Sequence, residues 1–268
     1  MAIVGRQVRS VEVHHRRSVR RTSPEELAGQ LIGATFTGVD RRGKYLLIST
    51  DREAALMIHL RMSGQVLISD VDDERPRHCH VVLGLAPIAN GERHELRFVD
   101  PRTFGEVVVY DPREVERRLP EIARLGPDPI ADGLSVADLR SALSHTRRPV
   151  KAVLLDQQVI AGIGNIYGDE ILHRARISPL RIADRIGRAQ LLRLHEALLD
   201  VLTEAIDCGG STLGDAQYVG VDGMPGEFQV RHRVYGRAGE LCLSCGRSRV
   251  TSVRLAGRTT SWCPSCQR

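Results

Sequence analysis

The chain has 268 residues, 42% of them hydrophobic but only 4% aromatic, which suits about two domains with cores of Leu, Val, Ile and Ala. No apolar run approaches the ~18 residues of a membrane span, and MAIVGRQVRS has no signal-peptide core, so a cytoplasmic protein is expected. The net charge of +5 comes from 38 basic and 33 acidic residues, and it is clustered. Six arginines fall in the first 21 residues against one acid, Glu12, and two further groups are Arg147, Arg148, Lys151 and Arg231, Arg233, Arg237. Any one cluster fits a solvated face, but clusters in several segments point to a polyanion.

In chain order, residues 6–13 alternate with Val8, Val11 and Val13 and predict a strand. Ser23-Pro24-Glu25-Glu26 is a capping box with proline at the first helical position, opening a helix that Gly33 ends. Strand-like runs follow at 34–40, 44–50, 54–60, 65–70, 80–86, 94–99 and 106–110. The first turn is read as Arg41-Arg42-Gly43, with Lys44 directly after it. Many short strands separated by turn residues predict an antiparallel sandwich or barrel over 1–120. LGPDPIADG, within 121–133, reads as a linker. Beyond it the spacing turns helical: a second cap at Ser135, then helices over 149–158, 165–175 and 187–207, the last stopped by Gly209-Gly210. The Gly-rich loop 211–227 is long enough to suggest a function, and 134–227 is read as one domain with it. The fold class is therefore α+β.

Residues 228–268 hold the strongest chemical signal. Cys242, Cys245, Cys263 and Cys266 form two Cys-x2-Cys pairs around a spacer that alternates like a β-hairpin, a pattern suited to one structural tetrahedral zinc. Two disulfides are the alternative, with nothing else in the chain looking exported. Ala256-Gly257-Arg258 is the expected turn, which puts Arg258 at the hairpin tip. Cys79 and Cys208 read as incidental thiols. His78 and His80 flank Cys79, but no third ligand lies nearby, so no metal is expected there. In Ala161-Gly162-Ile163-Gly164-Asn165 the glycines permit either close approach of a phosphate to a helix N-terminus or tight helix packing, and the residues alone leave both open.

That stretch, within KAVLLDQQVIAGIGNIYGDEILHRARISPLR, resembles the helix–two-turn–helix of the formamidopyrimidine-DNA glycosylase family. RRGKYLL, HLRMSGQ, HCH, DPRTFG, LGPDP, GGSTL, VDGMPGEFQ, VYGRAGE and the CxxC…GRTT…CPSCQ tail resemble the same family in order, over nearly the whole chain. The resemblance implies an N-terminal antiparallel β-sandwich, a helical domain and a zinc hairpin. It implies a monomeric base-excision repair enzyme that flips oxidised purines such as 8-oxoguanine and formamidopyrimidines out of duplex DNA and cleaves the strand at the abasic site. Lys44 matches the proton donor for β-elimination, and Arg258 the arginine assigned to phosphate and δ-elimination. Met62, Arg102 and Phe104 resemble the wedge that fills the gap left by the flipped base. His78, Arg147, Lys151 and Asn165 match DNA-contacting positions, and 211–227 resembles the loop that closes over the lesion.

The sequence also departs from the family. Its motif close to PELPEVE supplies a proline amine that attacks C1′ and a glutamate that acts as acid, and no residue here matches either. IVGR resembles the segment about fifteen residues, or ~4 helical turns, further on. The leading expectation is a start that lies upstream. The alternatives are a damage-binding paralogue that does not excise, and Ala2 acting as a substitute amine. Arg61 stands where the family often has glycine, Thr103 where a basic residue is common, and Gly214 where Arg or Lys is common. The pyrimidine-preferring endonuclease VIII branch is the runner-up, opposed by the Met62/Arg102/Phe104 set and the long loop.

Overall fold

The structure, a computed structural model, describes residues 3–87, 91–214 and 218–268. Ala2 and part of the 211–227 loop lie outside the described residues. The chain divides into two compact units, Met1–Ala123 with Gly209–Gly226, and Arg124–Cys208 with Glu227–Arg268.

The first unit is an antiparallel sandwich. One sheet has the order β1 (Val8–Val13), β6 (Cys79–Leu85), β7 (His94–Val99), β5 (Gln65–Asp70). The other runs β2 (Phe36–Arg42), β3 (Tyr45–Thr50), β4 (Ala55–His59), β8 (Glu106–Tyr110). Alternate residues of both sheets meet in one core, with Val8, Val81, Leu83 and Phe98 from one and Phe36, Ile48, Leu56 and Val107 from the other. The eight strands match the sequence periodicity because each has one face in this core. Helix α1 (Pro24–Leu31) adds Leu27 and Leu31, and its Ser23 cap accepts from the Glu26 amide at 3.0 Å. Two single-turn helices, α2 (Val115–Arg118) and α3 (Pro120–Ala123), close the unit.

The loop Gly209–Gly226 belongs with the sandwich, whereas the sequence reading grouped it with the helices. The Ile68 amide donates to Val221 O at 2.8 Å, and the Tyr218 hydroxyl donates to Arg61 O at 3.0 Å. These are contacts between residues far apart in sequence, which periodicity cannot reveal.

The second unit packs α4 (Val136–Leu143), α5 (Val150–Leu154), α6 (Asn165–Arg174) and α7 (Arg188–Asp207) around Leu139, Val153, Ile171, Leu194 and Leu198. Ser135 and Asp138 complete a reciprocal capping box at the start of α4. The C-terminal ribbon pairs β9 (Thr251–Leu255) with β10 (Arg258–Trp262), Leu255 opposite Arg258. Its own core is only Val234, Cys242, Val250 and Cys263, too little apolar surface to fold without another tie.

Candidate functional site

In the sandwich unit, Lys44 occupies a tight turn. Arg42 pairs with Tyr45, so Gly43-Lys44 is the whole loop, one residue later than the sequence reading placed it. Gly43 takes φ +57° while Lys44 is not left-handed, the pattern of a II′ hairpin turn whose twist matches the strands. The lysine is exposed at the tip of a rigid ribbon. Behind it, Tyr45 stacks on His59 with ring centroids 4.4 Å apart. His59 is 7% exposed. Burial, then the charges of Arg61, Lys44, Arg21 and Arg20, push its pKa down to about 3, so it stays neutral.

Three of those cations converge on one buried acid. Glu106 Oε1 accepts from Arg21 Nη2 and Arg61 Nη2, both at 3.3 Å, and its Oε2 is ion-paired with Arg21 Nε at 3.0 Å and Arg20 Nη2 at 3.5 Å. Sequence reading counted Arg20 and Arg21 in a basic run and missed Glu106 altogether. The only signal was an acid opening the apolar strand EVVVY. Part of the N-terminal basic cluster is thus engaged within the sandwich.

Met62, Arg102, Phe104 and His78 are brought together by Asp100. This fully buried carboxylate bonds the Ser63 hydroxyl and accepts from the Gly105 amide at 2.6 Å and the Arg102 amide at 3.3 Å. Its own amide donates to His78 O at 3.0 Å. Three turns are therefore knotted to one residue, two through its side chain and the third through its backbone amide. Met62 and Phe104 are left 53% and 41% exposed, and the Arg102 guanidinium lies 5.0 Å from the Phe104 ring centroid. Large apolar side chains held out into water on a braced scaffold suit insertion into a stacked ligand. Arg61, His78 and Thr103 adopt φ of +55°, +68° and +56°, a strain of roughly 1–2 kcal/mol per residue that clusters where function constrains the backbone. His80 Nε2 donates to Asp100 O at 2.9 Å, and its ring packs against His15. The only metal-ligating cluster among the described residues is the four cysteines.

In the helical unit, Asn165 is the first residue of the ten-residue α6, where free amides and the helix dipole favour an anion. Gln157 braces the preceding turn, donating to Ile163 O and accepting from the Gly162 amide, both at 3.0 Å. Arg147 is exposed ahead of α5. Arg148 is engaged by Asp156 at 2.8 Å.

Lys151 differs from its expected DNA-contacting place. It is 1% exposed, with Nζ 2.6 Å from Asp169 Oδ1 and 2.8 Å from Thr260 Oγ1. Burial pushes Asp169 up to about 6 and Lys151 below the usual lysine range. Its ammonium is satisfied inside the protein by residues 18 and 109 positions away, which a local basic run cannot show.

Arg258 opens β10, exposed, after the two-residue turn Ala256-Gly257. Both turn residues have positive φ, +47° and +77°, the I′ pattern. Glu170 fixes the approach to this ribbon, accepting amides of Arg233, Val234 and Tyr235 at 2.9, 3.0 and 2.8 Å.

The four Sγ atoms lie within 4.8 Å of one another, with Cys242–Cys266 at 3.8 Å and Cys245–Cys263 at 3.7 Å. A tetrahedral thiolate shell with bonds of about 2.3 Å has edges of about 3.8 Å, so the cage fits one thiophilic ion. Amides of Arg247 and Ser248 draw the Cys245 thiol down to about 6, whereas burial and its three neighbours push Cys266 up to about 12. Four thiolates can coexist here only around a cation. No helix among the described residues is long and apolar enough to cross a membrane.

Comparison with known proteins gives the family and the fold. The pattern of the formamidopyrimidine-DNA glycosylase N-terminal domain matches residues 1–107, and that of the family's H2TH domain matches 125–217. The formamidopyrimidine-DNA glycosylase of Geobacillus kaustophilus is 41% identical over 267 residues, 99% of this chain and 94% of that protein. That of Thermus thermophilus is 43% identical over 235 residues, 88% of this chain and 83% of that one. Among solved structures, the Lactococcus lactis Fpg complex with abasic-site DNA superposes with a TM-score of 0.88 at 32% identity, covering 99% of this chain and 94% of that one. The L. lactis Fpg complex with FAPY-dG DNA gives 0.86 at 32% identity with the same coverage.

Proposed function

The chain belongs to the formamidopyrimidine-DNA glycosylase family, and from this we propose that it is a base-excision repair DNA glycosylase with abasic-site lyase activity. Its substrate is duplex DNA carrying oxidised purines, 8-oxoguanine and formamidopyrimidines, which it extrudes from the stack before excision. The observation that carries this reading is the Asp100 knot. It holds Met62, Arg102 and Phe104 out as an apolar and cationic wedge, as needed to fill the gap left by an extruded nucleotide.

The remaining roles are those that the family resemblance implies. Lys44, at the tip of its ribbon, donates a proton during β-elimination. Arg258, at the other tip, grips phosphate beside the lesion and assists δ-elimination. His78, Arg147 and Asn165 contact the DNA backbone, Asn165 with the α6 N-terminus behind it. The cysteine cage holds one zinc ion, which supplies rigidity and no reaction chemistry because all four positions are filled by protein. The Gly209–Gly226 loop covers the extruded base.

The test is incubation of the chain, with the family's Pro-Glu-Leu-Pro-Glu segment joined ahead of it to supply the amine nucleophile, with duplex containing 8-oxoguanine opposite cytosine, or an abasic site, in the presence of borohydride. Strand nicking and a trapped covalent complex are expected. Equal affinity for undamaged duplex, with neither product, would overturn the reading.

A further inference from the structure

Arg258 stands on a ribbon of two strands, and a two-stranded hairpin is marginal in water. Three consecutive residues of β10 are nevertheless captured by side chains of the neighbouring helices. Asn165 Nδ2 donates to Thr259 O at 3.0 Å, and Lys151 Nζ donates to the same carbonyl at 3.3 Å. Lys151 Nζ also donates to Thr260 Oγ1 at 2.8 Å, and the Ser261 amide donates to Asp169 Oδ2 at 3.0 Å. Residues two apart on a strand face the same edge, so Thr259 and Ser261 present one edge of β10, and helix side chains occupy the place of a third strand. Lys151 and Asp169 are each 1% exposed and ion-paired at 2.6 Å. Removing either leaves the other as an uncompensated buried charge. The turn itself lies against α5, where Arg148, Lys151, Leu155, Ala256 and Arg258 line a concavity of about 120 Å³.

We propose that Lys151 and Asp169 are positioning residues for Arg258, acting through Thr259–Ser261 to fix the direction in which the hairpin presents its arginine, and that Lys151 makes no contact with DNA. The proposal rests on the reading of Arg258 as a phosphate-binding residue, but its first test needs no DNA.

Backbone amide exchange is measured by NMR on the metal-loaded full chain. Lys151→Met should speed exchange at Thr259, Thr260 and Ser261 by about tenfold or more while the metal-to-protein ratio stays at one. Unchanged exchange overturns the proposal. Should Lys151→Met fail to fold, the charge-free pair Lys151→Met with Asp169→Leu replaces it, and loss of β10 protection is again the expected result.

The second test is binding to duplex with a tetrahydrofuran abasic analogue across a salt series. Arg258→Ala and Lys151→Met should each weaken binding by about tenfold and each lower the salt slope by about one phosphate. Their combination should be no worse than Arg258→Ala alone. Additive losses would mean that Lys151 touches the DNA itself, and would sink the proposal. If Arg258→Ala alone has no effect on binding, the reading of Arg258 fails, and the exchange experiment still judges the positioning role.

Discussion

Two hairpins in this molecule do the same job by different means. Each closes on a two-residue turn with an exposed cation in it or beside it, Lys44 in the β2–β3 turn and Arg258 just after the β9–β10 turn. The first is part of a four-stranded sheet, with Phe36 and Ile48 completely buried in the sandwich core. The second has only two strands, and β9 is exposed along its middle. It carries the four cysteines at one end, and the buried pair Lys151 and Asp169 with the half-buried Asn165 grips it along one edge. Apolar burial is non-directional and tolerates small errors. Ion pairs, hydrogen bonds and metal bonds fix distance and angle, at the risk that losing one partner strands another.

This contrast predicts very different responses to damage. The largest effect is expected from Cys263→Ser or a strong chelator, because a structural zinc of the kind proposed for this cage contributes on the order of 10 kcal/mol to folding a small domain. Trp262 is the chain's single tryptophan and is 9% exposed, so its emission should shift to the red as the ribbon loosens. The sandwich strands, followed by amide exchange, should keep their protection.

Next in size is Lys44→Ala, expected to lower nicking of abasic duplex by roughly 10²-fold, the scale of general acid–base catalysis. Its melting temperature should be unaffected, since the side chain is exposed at the turn. A large stability loss would show that the lysine braces the ribbon as well.

A smaller effect separates the hairpins by pH. His59, beneath Tyr45, has its folded pKa lowered from 6.5 to about 3. The unfolded chain therefore binds this proton more readily, and stability that is full above about pH 6.5 is lost as pH falls toward 3. At pH 5 the loss is about 2 kcal/mol from this group. Thermal melts between pH 7 and 5 should show a decline that His59→Phe makes shallower. An identical slope in the variant would refute it.

The smallest expected change is at the finger turn. Ala256 holds φ +47°, a conformation that costs a β-carbon residue roughly 1 kcal/mol and that asparagine tolerates better. Ala256→Asn should slow exchange of the β9–β10 amides by a fewfold.

The difference between the hairpins also marks how much could be read beforehand. All eight sandwich strands were visible because each alternates between core and surface, and Ser23 and Ser135 announced their helices through local hydrogen bonds. The cysteine cage was visible because its spacing is itself the ligand geometry. Tertiary polar contacts were not. Lys151 in sequence is one more cation after Arg147 and Arg148, and nothing local ties it to Asp169 or Thr260. Glu106 likewise gives no hint of Arg20 and Arg21. The left-handed backbone at Arg61 was hidden too, since arginine carries none of glycine's conformational signal.

Because the side-chain grip on the ribbon runs through β10, its partner strand carries few obligations. Ser252, Val253 and Arg254 are exposed and need only keep strand conformation. Selection can therefore vary them freely, for example to retune charge near the Arg258 tip, without disturbing the anchor. Substitutions tolerated on β9 and rejected on β10 would make this ribbon a surface that evolves along one edge only.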